Sequence, residues 1–171
     1  MGKHLQEFKR PAGSEDDGVP EIFVLLVNFF EENPKCLTPI NIFRVSGNAQ
    51  MVEELSVHVS MGNYYFLTGL SDHPHVVTSF LKNVLNRMID PLCTFALYDR
   101  FRDLQKVPAD KRLEKIKNIC EDMPSINRNT FVFLIKFLNK VIEHEAENRM
   151  NAYNIATIFT PITFKPKEFS P

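Results

Sequence analysis

Arg44 stands in the run Asn41-Ile42-Phe43-Arg44-Val45-Ser46-Gly47, where it is trailed by the small, turn-forming Ser46 and Gly47. A guanidinium presents several donors in a fixed plane and keeps its charge, and here it follows an expected helix too short to need it. On composition alone the same residue reads as a helix C-terminal charge or a salt-bridge partner. His73 and His75, beside Asp72, diverge by about 200° on a helix and so do not form a bidentate metal pair. They belong to a helix start at Pro74. Cys36, Cys93 and Cys120 include no Cys-x-x-Cys pair and read as core or boundary residues. No Gly-x-Gly-x-x-Gly, phosphate-loop lysine or Gly-x-Ser-x-Gly elbow occurs, which leaves an autonomous cofactor enzyme little to stand on. From Arg100 to Lys117 there are seven cations against three acids. Such a stretch is a solvated face first, and a surface for an acidic partner or anionic lipid second.

These residues must be positioned by a single domain. The chain has 171 residues, 20 basic against 21 acidic, for a formal charge of −1, and 44% of it is apolar. That length buries a core without staples, and the balance speaks against a dedicated nucleic-acid binder. Three widely spaced cysteines point to a reducing compartment, hence the cytoplasm. The longest apolar run, Ile22 to Val27, is far short of the roughly 20 residues a spanning helix needs. The N-terminus has no secretory signal layout, and Gln6 stands where a myristoylation motif wants Ser or Thr.

The pattern along the chain is helix after helix. Residues 1–18, broken by Pro11, Gly13 and Gly18, read as a polar arm. Pro20 opens a helix with Ile22, Leu25, Leu26, Phe29 and Phe30 at helical spacing, and Asn33-Pro34 ends it. Thr38-Pro39 predicts a short helix over Pro39 to Phe43. Asn48 starts another, with Met51, Val52, Leu55 and Val59 on its apolar face and Gly62 as its stop. The clearest pattern runs from Pro74 to Met88, with Lys82 about 200° round the wheel from Phe80. Thr94 begins a helix carrying Phe95, Tyr98, Phe101 and Leu104. Pro108 begins one with Leu113, Ile116, Ile119 and Met123 on its apolar face, stopped by Pro124. A long helix carries Phe131, Leu134, Leu138, Val141 and Ile142 to about Glu147. Met150 to Phe159 closes the set before Pro161. The expectation is an all-α fold of about eight helices over residues 19–164, with a tail at 165–171.

The order of these motifs resembles the GTPase-activating domain of Rho-type small GTPases, the RhoGAP domain. Ile42-Phe43-Arg44-Val45-Ser46-Gly47 is similar to the family's arginine loop, usually Gly-Ile-Phe-Arg-x-Ser-Gly. His75 to Lys82 resembles its His-x-x-x-x-x-Leu-Lys helix and leads into Asp90-Pro91-Leu92, the family's Glu-Pro-Leu. Met150-Asn151-Ala152-Tyr153-Asn154-Ile155-Ala156 is similar to its Met-x-x-x-Asn-Leu-Ala segment and runs into Phe159-Thr160-Pro161. The resemblance covers roughly residues 8–164.

The resemblance implies an arginine finger, Arg44, inserted into the active site of a GTP-loaded Rho- or Rac-type GTPase. Lys82 matches the lysine that braces the arginine loop and helps dock the GTPase, and Asn154 matches the Asn of the late motif. GTP and Mg²⁺ would belong to the partner, and the domain would carry no cofactor or metal of its own. It would act as a monomer, reaching the membrane's inner face through other domains or the partner. The sequence departs from the family in several places. Asn86 stands where an Arg four residues after the lysine is usual, and its neighbour Arg87, about 100° round the helix, is the candidate to stand in for it. Lys82, Arg87 and Asn154 are therefore the expected GTPase-binding and support residues. Ile162 replaces the Asn after the late proline, and Ile40-Asn41 replaces Glu-Gly. The family usually continues to a final helix, so an excised domain of a larger protein is expected. Two alternatives stay open. One is a module of the same fold that recognises GTP-loaded GTPases without accelerating them, and the other is a generic helical scaffold.

Overall fold

The computed structural model describes residues 2–167. Among them lie eight α-helices: α1 (Glu21–Glu32), α2 (Ala49–Ser60), α3 (Pro74–Asn86), α4 (Tyr98–Arg102), α5 (Ala109–Glu121), α6 (Ser125–Glu143), α7 (Glu145–Asn148) and α8 (Ala152–Thr163). Short 3₁₀ segments at Pro34–Leu37 and Tyr64–Leu70 join the first three. The boundaries follow local chemistry. Pro20, Pro108 and Pro124 precede α1, α5 and α6, and Pro74 is the first residue of α3, where its missing N–H costs nothing. Asn48 caps α2, its side chain accepting from the Met51 N–H, and Asn151 caps α8 by accepting from the Asn154 N–H.

The core is built around α3, whose Val77, Leu81 and Leu85 are fully buried. An aromatic cluster sits beside it. The Phe43 ring lies 6.4 Å from Phe30 of α1, 6.1 Å from Phe137 of α6 and 5.4 Å from Phe159 of α8. Three helices therefore converge on one loop residue. The N-terminal arm also joins this core: Leu5 is buried, Phe8 packs on Phe23, and the Ile89 N–H donates to the Lys3 carbonyl.

Four sequence expectations are corrected. No helix forms over Pro39 to Phe43; the chain turns there instead, with Asn41 at φ 58° and Phe43 at φ 69°, a backbone no right-handed helix contains. Pro161 does not end α8, which runs on to Thr163. A proline in the last turn removes one donor, to the carbonyl of exposed Thr157, and the end is held by Cys93 N–H on Thr163 O and Phe164 N–H on Thr160 O. Leu113 and Ile116 do not face a core: they are 65% and 36% exposed, because α5 is anchored through its C-terminal part, with Ile119 and Met123 in a small second cluster. The long helix ends at Glu143, and α7 follows a break at His144.

Candidate arginine-loop site

The loop carrying Arg44 is held from two sides. On one side its backbone folds on itself and on the α7–α8 connection. The Asn41 carbonyl accepts from both Arg44 N–H and Val45 N–H at 2.9 Å, while the Asn41 N–H donates to the Asn148 carbonyl at 2.8 Å. On the other side stands α3. Lys82 Nζ donates to the Phe43 carbonyl at 2.6 Å, and Ser79 Oγ accepts from the Gly47 N–H at 2.9 Å. Gly47 is required for a steric reason. A Cβ built there would lie 2.5 Å from the Val76 backbone, so only glycine lets the loop approach the first turn of α3.

Between these anchors the side chains point in opposite directions. Phe43 is fully buried in the aromatic cluster, contributing roughly 1.5–3 kcal/mol of apolar burial. Its left-handed backbone is costly for a bulky residue, about 1–3 kcal/mol, and persists because ring and carbonyl are both pinned. The next residue, Arg44, is exposed, and among the described residues its guanidinium meets no carboxylate and donates no hydrogen bond. Val45, directly after it, and Ile40, four residues before it, are also exposed. The loop therefore presents a cation and apolar surface to solvent from a rigid base.

Lys82 is half-buried, and that burial pulls its ammonium below the ordinary lysine range, since the charged form loses water. His75, the second residue of α3, is likewise lowered by burial, with the Val45 backbone pulling partway back and Lys82 adding a small repulsion. Asn154 lies in the first turn of α8, its side-chain amide donating to Arg149 O at 3.1 Å. It is thus tied to the same connection that holds Asn41. Lys82 thus bonds the arginine loop directly, while Asn154 bonds the residue next in chain to Asn148, whose carbonyl holds that loop. Arg87 takes no part in either contact. That residue caps the far end of α3, exposed, next to the arm at Gly2. Asn86 is taken up by Lys165, whose Nζ reaches both its carbonyl and its side-chain oxygen. Ile162 packs half-buried against the main core.

Sequence reasoning missed Asn148. It is fully buried and makes three side-chain hydrogen bonds, and the only local signal for it is an Asn near a helix end, a common place for that residue. The cysteines are poor nucleophiles: burial pushes the thiols of Cys36, Cys93 and Cys120 up. Among the described residues no helix is long and apolar enough to cross a membrane.

A family model of the RhoGAP domain matches residues 20–168. The chain belongs to the RhoGAP family. Its RhoGAP fold is similar to that of human Rho GTPase activating protein 15, with a TM-score of 0.81 at 23% identity over 96% of this chain and 76% of that one. Among curated proteins, Rho GTPase-activating protein gacJJ of Dictyostelium discoideum is 29% identical over 158 residues. Rho GTPase-activating protein 29 of Bos taurus is 32% identical over 196 residues. These matches cover 92% and 98% of the RhoGAP chain but only 18% and 15% of the two relatives, so it spans under a fifth of either.

Proposed function

We propose that this RhoGAP domain accelerates GTP hydrolysis by a GTP-bound small GTPase of the Rho/Rac type, with Arg44 as the catalytic arginine supplied in trans. The observation that carries the reading is the pairing of an exposed, uncommitted Arg44 with a neighbour, Phe43, locked by both ring and carbonyl. A finger must reach outward and yet not swing. In such a reaction negative charge spreads over the transferred phosphoryl oxygens, and the nucleotide and Mg²⁺ are the partner's. A planar guanidinium placed against those oxygens neutralises charge and helps hold the water-orienting group, an effect of about 10³ to 10⁵ in rate. Lys82 and Asn154 act in this reading through the loop and its connection. The proposal includes a monomer working in the cytoplasm, at a membrane when its partner is there.

Single-turnover GTP hydrolysis by a panel of Rho-, Rac- and Ras-type GTPases tests this, with wild type and Arg44→Ala side by side. Acceleration confined to Rho-type members and lost in the variant is the expected result. An unchanged rate in Arg44→Ala, with wild type active, sinks the finger role.

Three observations favour a second reading, a recognition module without catalytic stimulation. Asn86 is engaged with Lys165, Ile162 is partly packed into the core, and Arg87 sits at the opposite end of α3 from the arginine loop. Tight binding to the GTP-loaded partner with no acceleration by wild type is its signature.

A further inference from the structure

We propose that Asn148 is a positioning residue for Arg44, setting the direction of the arginine loop from beneath although no partner can touch it. The inference rests on the finger reading above and adds to it the device that aims the finger.

Asn148 is the last residue of α7 and has no exposed surface. Each polar group of its side chain is used, and each goes to a different piece of chain. Nδ2 donates to the carbonyl of Leu37, just before the loop, at 2.9 Å, and to the carbonyl of Val141, near the end of α6, at 2.8 Å. Oδ1 accepts from the Met150 N–H, on the way into α8, at 2.8 Å. Its backbone carbonyl accepts the Asn41 N–H at 2.8 Å. One buried amide thus joins the approach to the loop, the last turn of α6 and the segment leading into α8.

The path from this hub to the finger is short. Asn148 O holds Asn41 N–H, and Asn41 O holds Arg44 N–H, so two hydrogen bonds link the buried carbonyl to the backbone of the arginine. Asn41 is held at φ 58° between them. Lys82 grips Phe43 from α3, so the loop is clamped from two directions by elements far apart in sequence. A fully satisfied buried amide is a rigid joint, and its loss strands the Leu37 carbonyl and the Met150 N–H, leaving the Val141 carbonyl only the His144 N–H. An ordinary core residue would be replaceable by an apolar one. Asn148 is not, because the groups around it are backbone donors and acceptors with fixed places.

The test uses the full chain as wild type, Asn148→Ala, Asn148→Ser and Arg44→Ala. Hydrogen exchange read by mass spectrometry compares residues 38–47 with α1 and α3, in the absence of any GTPase. Exchange in 38–47 is expected to rise at least about tenfold in both Asn148 variants, with α1 and α3 little changed. Single-turnover hydrolysis is then followed against activator concentration, using a GTP-loaded Rho-type GTPase that wild type accelerates. The saturated rate is expected to fall about 10- to 100-fold, the scale of a misplacement near 1 Å, while the half-saturating concentration stays within about twofold. A merely structural role predicts the opposite split: fewer folded molecules raise the half-saturating concentration and leave the plateau intact. That result, unchanged exchange in 38–47, or an equal rise in all three segments in both variants overturns the proposal. If Arg44→Ala keeps the wild-type plateau, the finger reading fails instead, and the exchange data still decide whether Asn148 holds the loop.

Discussion

Replacing Lys82 by methionine removes an ammonium while keeping an unbranched stem. The group lost is half-buried and donates to the Phe43 carbonyl at 2.6 Å. A hydrogen bond from a charged donor contributes about 1.5–3 kcal/mol. Against it stands the cost of drawing the ammonium out of water, the same burial that lowers its proton affinity. Half-burial leaves part of that hydration in place, so the net loss works out at about 1–2 kcal/mol. For a domain of this size each kcal/mol moves the melting midpoint about 2–4 °C, which predicts a fall of about 2–8 °C by scanning calorimetry. Activity should suffer more than stability. The released carbonyl belongs to a residue at φ 69°, and relaxing that strain rotates the peptide leading into Arg44. Single-turnover hydrolysis at saturating activator should fall about 10- to 100-fold. A midpoint and a saturated rate both indistinguishable from wild type would refute the reasoning, and would mean that ring packing of Phe43 and the loop's backbone anchors orient it without the Lys82 bond.

Arg44→Lys should keep the wild-type melting midpoint, since the side chain is exposed and unpartnered among the described residues, yet lose most of the acceleration. Calorimetry and single-turnover hydrolysis on the same preparation check it, and a rate equal to wild type would mean that charge suffices without guanidinium geometry. Gly47→Ala places a methyl 2.5 Å from the Val76 backbone and should lower stability by about 1–3 kcal/mol, read from urea midpoints. His75 predicts a pH dependence. Its folded value lies below the ordinary histidine value, so its contribution is fully present above about pH 6.5 and is lost as pH falls toward the folded value. Melting midpoints between pH 7.5 and 5.5 should therefore drop more steeply in wild type than in His75→Gln; parallel curves would exclude the imidazole as the cause.

Helix identity was legible wherever a strong period met a clear cap. α2 and α3 carry both, so Asn48, Gly62 and Pro74 mark their ends, and Val52 and Leu55 in α2 and Val77, Leu81 and Leu85 in α3 their buried faces. The misreadings share a cause. Thr38-Pro39 and the Leu113–Ile116 spacing are local signals, and each is outvoted by what lies beside it in space. The turn at Asn41 is held by Asn148, and α5 is anchored through Ile119 and its neighbours. Lys82 shows the other half of the same rule. Its place off the apolar face could be read from the helical wheel, whereas its hydrogen bond to Phe43 O could not, because that contact joins residues 39 positions apart.

By itself the sequence determined the helical class, the main caps, and the residue types that make an arginine loop beside a lysine-bearing helix. Periodicity and capping act over a few residues, so they are written locally. Tertiary structure decided that Phe43 turns inward while Arg44 turns out, that Lys82 closes on the carbonyl between them, and that Asn148 ties the loop to α6 and α8. Those outcomes depend on backbone donors and acceptors whose need for partners is settled only when distant segments meet and water is excluded.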